Sequence, residues 1–96
     1  MSEVHGSGPT QVVMEYCGGW GYRKYCVEAM NIINDQRGAG ACTFTFKRDA
    51  ARSGRFEVTV QGTLIHSKAS TGKFVTDWSA FLEAYDQATN WANLTI

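Results

Sequence analysis

The stretch VVMEYCGGWGYRKY, residues 12–25, joins a β-rich run to the start of an amphipathic pattern through a glycine-rich turn. Valine, methionine and tyrosine dominate the run Gln11–Cys17, which therefore predicts a first strand. Gly18, Gly19 and Gly21 then interrupt the chain and predict a tight turn. The stretch as a whole predicts a β-α unit whose turn begins at Cys17.

Apolar residues recur at helical spacing from Tyr22 to Ile33, which predicts a first helix that ends at the segment Gly38–Gly40. The run ACTFTFK alternates with a period of two and predicts a second strand. A hairpin follows, and a last helix begins after Thr76 or Asp77 as its N-cap. The order β-α-β-β-β-α predicts an α/β, thioredoxin-like two-layer sandwich, with a four-stranded mixed sheet and two helices.

The predicted hairpin spans the run RFEVTVQGTLIHSK, with Gln61-Gly62 as a two-residue turn. An uninterrupted register from this turn places Val60 opposite Thr63 and Val58 opposite Ile65. The same register places Glu57 opposite His66 and predicts a surface contact between these two side chains.

Residues 11–96 form one predicted domain, and the polar residues 1–10 form a predicted flexible tail. Nine basic and nine acidic side chains balance, which argues against nucleic acid and acidic membranes as partners. No apolar run approaches the ~20 residues that span a bilayer. Three cysteines without a CxxC pair argue against a disulfide framework and a metal site. We therefore expect a cytoplasmic monomer with no bound cofactor.

Cys17 is the candidate redox residue because it stands at the end of a strand and before a helix. Unpaired N–H groups and the positive end of the helix dipole would lower the pKa of a thiol there. Cys26 lies on the apolar stripe of the first helix and Cys42 shares a strand face with Phe44, so both are expected to be core residues with inert thiols. We expect Cys17, in an exposed and electropositive loop, to react first. The alternative is a strand-end thiol without chemistry.

The glycines around Cys17 admit a second interpretation, an anion site at the start of a helix. However, GGWG matches neither GxGxxG nor a P-loop, and Trp20 would crowd such a pocket. The two histidines are weaker candidates, because His5 lies in the predicted tail and His66 in the predicted hairpin.

The run GRFEVTVQGTLIHSKASTGKFV, residues 54–75, resembles the selenoprotein W family of small thioredoxin-like proteins, and so does VVMEYCGGWGYRKY. The similarity covers residues 11 to about 85 and implies the same order of strands and helices. The family pattern is a glycine, FEV, a glycine turn, LIHSK, and a glycine before FV or YV. It falls here on Gly54, Phe56-Glu57-Val58, Gly62, Leu64-Ile65-His66-Ser67-Lys68, Gly72 and Phe74-Val75.

In this family the loop after the first strand carries Cys-x-x-selenocysteine or Cys-x-x-Cys. The resemblance places the redox pair on Cys17 and Trp20 and implies an antioxidant thiol or selenol oxidoreductase. It also implies glutathione as co-substrate and 14-3-3 proteins as partners. We expect partners to contact residues 17–22 and 70–74. The remaining predicted substrate or partner residues are Gly18, Gly19, Gly21, Tyr22, Ser53 and Gly54, the last two in place of the thioredoxin proline.

Trp20 departs from the family pattern, because an indole forms neither a disulfide nor a selenenylsulfide with Cys17. One interpretation is that Trp20 replaces a native selenocysteine, whose codon UGA differs from the tryptophan codon UGG by one base. A second is that Trp20 is genuine and Cys17 works alone with glutathione. A third is that Trp20 is genuine and catalysis is lost, which leaves a redox-regulated interaction module or a relic that keeps only the fold. The native codon separates the first from the others. Position 20 precedes the helical stripe, so we expect a partly exposed indole.

Overall fold

The centre of the fold is β1 (Thr10–Tyr16), which pairs with a neighbour on each side. The computed structural model describes residues 9–19 and 21–94. The other elements follow in chain order: α1 (Arg23–Arg37), β2 (Cys42–Arg48), β3 (Phe56–Val60), β4 (Thr63–Ser67), α2 (Lys68–Thr71) and α3 (Trp78–Leu94).

The four strands form one mixed sheet in the order β2-β1-β3-β4. β1 runs parallel to β2, and α1 provides the crossover that a parallel pair requires. β3 runs antiparallel to both β1 and β4. The predicted thioredoxin-like sandwich is confirmed, with α2 as an addition to the predicted elements. A helix of a single turn is too short to produce a periodic pattern in the sequence.

The core lies between one face of the sheet and the two long helices. Every second residue of β1 and of β3 is buried, as alternation along a strand requires. The opposite face is half-buried and carries Glu15 and Glu57. The core residues are Val12, Met14, Tyr16, Cys26, Ala29, Ile33, Phe56, Val58, Val60, Phe81, Tyr85 and Ala88.

The hairpin of β3 and β4 has the predicted turn but not the predicted register. Val60 pairs with Thr63 as expected. The register then shifts beside Val58, which pairs with His66 and not with Ile65. The predicted register is wrong here because a bulge adds one residue to β4, and apolar alternation alone does not locate such an insertion.

The predicted contact between Glu57 and His66 is also wrong, for the same reason. Glu57 pairs with Ser67, whose Oγ donates to the Glu57 carboxylate at 2.8 and 2.9 Å from its two oxygens. Ser67 also accepts a hydrogen bond from the Ser70 N–H at 3.1 Å and so caps α2. The His66 ring instead places Nε2 3.1 Å from the carbonyl oxygen of Lys73.

The structure differs from the prediction at the start of β1, and it decides between the two predicted N-caps of α3. Asp77 is the N-cap of α3, since its Oδ1 accepts from the Ala80 N–H at 3.0 Å. Thr10 was expected in the tail but belongs to β1, where its N–H donates to the Ala41 carbonyl at 2.9 Å. Residues 1–8 of the predicted tail lie outside the described residues. No helix in the described part of the chain is long and apolar enough to cross a membrane.

Candidate functional site

Backbone hydrogen bonds join the loop after β1 to the loop between β2 and β3. The Cys17 N–H donates to the Arg55 carbonyl at 2.8 Å, and the Gly18 N–H donates to the Ala51 carbonyl at 3.0 Å. From the other side, the Asp49 N–H donates to the Tyr16 carbonyl at 2.7 Å. Residues 49–55 therefore lie directly against the turn that begins at Cys17.

Gly18 makes this close approach possible because it has no side chain. A Cβ built on Gly18 would collide with the carbonyl oxygen of Asp49 and lie 2.9 Å from that of Ala51. A Cβ on Gly19 would instead meet the Cys17 Sγ at 3.3 Å. The first glycine is therefore required by packing, whereas a Cβ at the second would make a tight contact with a side-chain sulfur, which can shift more readily than a backbone oxygen.

A carboxylate at the end of β2 organises the facing loop. Asp49 accepts hydrogen bonds from Arg55 Nε at 3.0 Å and Nη2 at 2.7 Å, and a further one from the Ser53 hydroxyl. The Arg55 hydrogen bonds, followed by the one from Ser53, lower the pKa of Asp49 to about 2. The pKa of Arg55 is raised by the same pairing. Both groups therefore stay charged at neutral pH.

The thiol of Cys17 has a pKa below that of an ordinary cysteine. The main cause is hydrogen bonding from the backbone N–H of Gly54, and the next is the Gly19 N–H, which donates to Sγ at 3.2 Å. Desolvation acts in the opposite direction, and Ser53 adds a smaller lowering contribution. We expected the N-terminus of α1 as the source, but α1 begins only at Arg23, and a helix dipole acts within about one turn.

Cys17 is less open than the sequence predicted, since only 4% of the residue is exposed. The expectation of an exposed thiol is therefore wrong, because the loop of residues 49–55 folds against the end of β1. Cys17 nevertheless lines an open depression of about 300 Å³. The other residues that line this depression, here called the Cys17 depression, are Gly19, Tyr22, Arg52 and Gly54.

Three basic side chains surround the Cys17 depression. Arg52 lines it directly, and the Arg48 Nη2 donates to the Gly18 carbonyl at 2.8 Å. Lys68 Nζ donates to the Gly54 carbonyl at 3.5 Å. These residues were absent from the predicted site, although the basic run KRDAARSGR, residues 47–55, was a visible signal for Arg48 and Arg52. Positive charge at this place favours a thiolate and anionic reactants.

Tyr22 connects the Cys17 depression to the segment before α3. Its ring packs edge-on against Phe74 with the centroids 5.1 Å apart. Phe74 also stacks on Tyr25 at 3.7 Å. Lys68 Nζ lies 5.7 Å from the Tyr22 centroid and 5.3 Å from that of Phe74. Residues 68–74 therefore lie beside the depression.

The other two cysteines lie elsewhere. Cys26 is fully buried in the core, as predicted, and burial raises the pKa of its thiol to about 11. Cys42 is partly buried against the core, with Sγ 3.1 Å from the Tyr85 hydroxyl. Among the described residues, no group of three histidine, cysteine or acidic side chains is placed to hold a metal.

The predicted site residues other than Trp20 lie close together in the structure. Cys17, Gly19, Tyr22 and Gly54 line one depression, and Ser53 acts on the pKa of the Cys17 thiol. Gly18 lies beneath the facing loop, and Gly21 has a φ of 93°, which suits a turn. Trp20 lies outside the described residues, so its predicted exposure stays a prediction.

Comparisons with known proteins agree with the fold. The model of the Rdx family matches residues 11–80 of the chain. A solved structure, the selenoprotein W-related protein from Vibrio cholerae, superposes with a TM-score of 0.69 at 12% identity. The match covers 85% of this chain and 99% of that one, and at this identity it shows the fold alone. Comparison with curated protein sequences gives no significant match.

The lowered pKa of Cys17 predicts a distinct pH dependence of alkylation. Iodoacetamide should modify Cys17 before Cys26, because the Cys26 thiol is fully buried and protonated at neutral pH. The rate at Cys17 should reach half of its plateau below the pKa of about 8.5 of a free cysteine. Peptide mass spectrometry over a pH series measures both quantities. Faster modification of Cys26, or a half-rise at or above that of free cysteine, would contradict the assignment.

The two adjacent glycines provide a matched pair of variants. Gly18→Ala should lower the free energy of unfolding by about 1–3 kcal/mol, because its Cβ meets backbone oxygens that cannot move independently. Gly19→Ala should change it by less than about 1 kcal/mol, because its Cβ meets side-chain atoms at 3.3 Å or more. Urea denaturation of both variants tests this difference. Equal losses would show that Gly18 is not constrained by the facing loop.

Proposed function

This chain belongs to the Rdx family of selenoprotein W-related, thioredoxin-like redox proteins, and we propose that it is a glutathione-linked oxidoreductase with Cys17 as nucleophile. The observation that carries the proposal is the Cys17 thiol at the edge of a depression with basic neighbours. Its pKa is lowered by the N–H groups of Gly54 and Gly19. A lowered thiol pKa increases the fraction of thiolate, the form that attacks disulfides.

The proposed reaction is thiol–disulfide exchange. The Cys17 thiolate attacks one sulfur of a substrate disulfide, which forms a mixed disulfide and expels the other sulfur as a thiolate. Glutathione thiolate then attacks the mixed disulfide at the substrate sulfur and releases the Cys17 thiolate. The net result is reduction of the substrate disulfide by two molecules of glutathione, once a second glutathione reduces the glutathione–substrate disulfide.

Position 20 supplies the second redox group in the proposed native form. We propose that selenocysteine stands there natively and that Trp20 replaces it, since the two codons differ by one base. A selenolate at position 20 would attack a peroxide and release water or an alcohol, or attack a disulfide and release a thiolate. Cys17 or glutathione would then displace the group left on selenium and form a selenenylsulfide, which glutathione would reduce back to the selenolate with glutathione disulfide as the product. In the Trp20 form, the Cys17 thiolate would attack oxidised glutathione, which forms a mixed disulfide and releases one glutathione thiolate, but no neighbouring group at position 20 would resolve that disulfide.

Partner binding is a second candidate function, which the contact between Tyr22 and Phe74 favours. Because these rings lie 5.1 Å apart, the two loops expected to bind partners form one continuous surface beside Cys17. We propose that 14-3-3 proteins bind this surface and that the protein acts as a cytoplasmic monomer. In the Trp20 form, such binding, regulated by glutathione on Cys17, would be the remaining activity.

A cysteine at position 20 tests the enzymatic proposal. Trp20→Cys creates a Cys-x-x-Cys motif with Cys17 and should gain glutathione-coupled disulfide reductase or peroxidase activity that the Trp20 form lacks. The double variant Cys17→Ser/Trp20→Cys is the control and should lose that gain. If the single variant folds, forms the disulfide and still shows no turnover, the interaction module becomes the better interpretation.

Arg52 predicts a preference for anionic reactants. Arg52→Gln should slow the reaction of Cys17 with the dianionic dithiobis-nitrobenzoate several-fold, because a lining charge is lost. The reaction with neutral iodoacetamide should change much less. Lys24→Gln removes an exposed positive charge on α1 that does not line the Cys17 depression, and serves as control. Equal slowing of both reagents, or equal effects of the two variants, would remove the basis for an anionic substrate.

A further inference from the structure

The carboxylate of Asp49 accepts hydrogen bonds from both ends of the segment Ser53–Arg55, which approaches Cys17. Arg55 binds both carboxylate oxygens through Nε and Nη2, at 3.0 and 2.7 Å. The Ser53 hydroxyl donates to the same carboxylate and accepts from the Arg55 N–H at 3.3 Å. Gly54 lies between Ser53 and Arg55. The Asp49 carboxylate therefore holds both sequence neighbours of Gly54 in place.

Backbone hydrogen bonds also join this cluster to the end of β1 and to Cys17. The Asp49 N–H donates to the Tyr16 carbonyl at 2.7 Å, and the Arg55 carbonyl accepts from the Cys17 N–H at 2.8 Å. The side-chain cluster therefore spans a short loop whose two ends are both anchored next to Cys17. Gly54 lies in this loop and lines the same depression as Cys17, so the conformation of the loop between these anchors determines how closely the Gly54 backbone approaches the sulfur.

We propose that Asp49 is a positioning residue for the Cys17 thiolate: its carboxylate holds the Ser53-Gly54 turn against the sulfur. Asp49 acts through Ser53 and Gly54, which belong to the surroundings of the thiol. The consequence for turnover rests on the proposed function, whereas the effect on the thiol itself does not. Asp49 was not among the residues predicted from the sequence.

The sign of the effect distinguishes positioning from simple electrostatics. A carboxylate that acted through its charge alone would disfavour a nearby thiolate, so its removal would lower the pKa of Cys17. Removal would also leave Arg55 paired only with the more distant Glu15 carboxylate, at 3.7 Å, which shifts that pKa in the same direction. Loss of positioning has the opposite effect, because the thiolate loses hydrogen bonds from the turn. A raised pKa can therefore be assigned to the turn.

Other charged or titratable groups around Cys17 stay unchanged in this comparison. They come from the loop after β1, from β1, β2 and β3, from the loop of residues 49–55, and from α2. They are Tyr22, Glu15, Glu57, Arg48, Arg52, Arg55 and Lys68.

The test is the pH profile of Cys17 alkylation by iodoacetamide in the full-length chain. Asp49→Ala should raise the pH of half-maximal rate by about one unit, the size expected for losing a hydrogen bond to a charged group. The rate at pH 7 should fall by up to about tenfold. Asp49→Asn keeps an acceptor oxygen for Arg55, so the rise in its half-maximal pH should be smaller than that of Asp49→Ala.

A second ion pair in the molecule provides the matched control. Asp86 accepts from Arg37 Nε at 2.7 Å and Nη2 at 2.8 Å, which is the same two-point geometry between α3 and α1. Asp86→Ala should leave the alkylation profile of Cys17 unchanged. If both aspartate variants shift the profile equally, the effect is one of general stability and the proposal fails.

A fall in the pH of half-maximal rate, or no change, in Asp49→Ala would also overturn the proposal. If Asp49→Ala does not fold, Asp49→Asn decides, since it weakens the cluster without removing a group that itself hydrogen-bonds the thiol, and it should raise the half-maximal pH. The readout needs no glutathione turnover, so it stays valid if the proposed oxidoreductase activity is absent. Conversely, suppose that Asp49→Ala raises the half-maximal pH of Cys17 alkylation while Trp20→Cys shows no turnover. The enzymatic function would then be refuted, and the positioning role of Asp49 would stand.

Discussion

The pairing of β1 on both sides is the constraint on which the position of the thiol depends. Tyr16, the last residue of β1, pairs with Arg48 of β2 and with Phe56 of β3. Because both ladders continue to the end of the strand, the loop after β1 meets the loop of residues 49–55, which joins β2 to β3, at one end of the sheet. Cys17 is the next residue after this junction and lies against the backbone of the facing loop.

This arrangement stabilises a thiolate without a helix directly behind it. Two features replace the helix N-terminus: backbone N–H groups from Gly54 and Gly19, and basic side chains around the depression. The main N–H group, that of Gly54, belongs to a segment that is distant in sequence from Cys17, so its contribution depends on correct pairing of β1 with β3. Folding and thiol chemistry are therefore coupled, since a loop that loosens at residues 49–55 also changes the charge state of Cys17.

Periodicity predicted the strands, the two long helices and the core, because alternate residues such as Val12 and Met14 must be buried together. It also located the turn that carries Cys17. It failed at the bulge beside Val58 and at the burial of Cys17, because both depend on how separate segments meet. The basic run of residues 47–55 was visible in the sequence, but its approach to Cys17 follows only from the sheet order.

The redox and partner-binding interpretations share one structural basis. Tyr22 lines the Cys17 depression and contacts Phe74, and Lys68 lies over both rings while its Nζ donates to the Gly54 carbonyl. A group attached to Cys17 would occupy the depression beside Tyr22 and Gly54. It would therefore change the surface that a partner meets at Phe74. Conversely, a partner that moved Lys68 would alter the turn whose N–H stabilises the thiolate. Oxidation of Cys17 and partner binding would thus influence each other through direct contacts, without a change in the sheet.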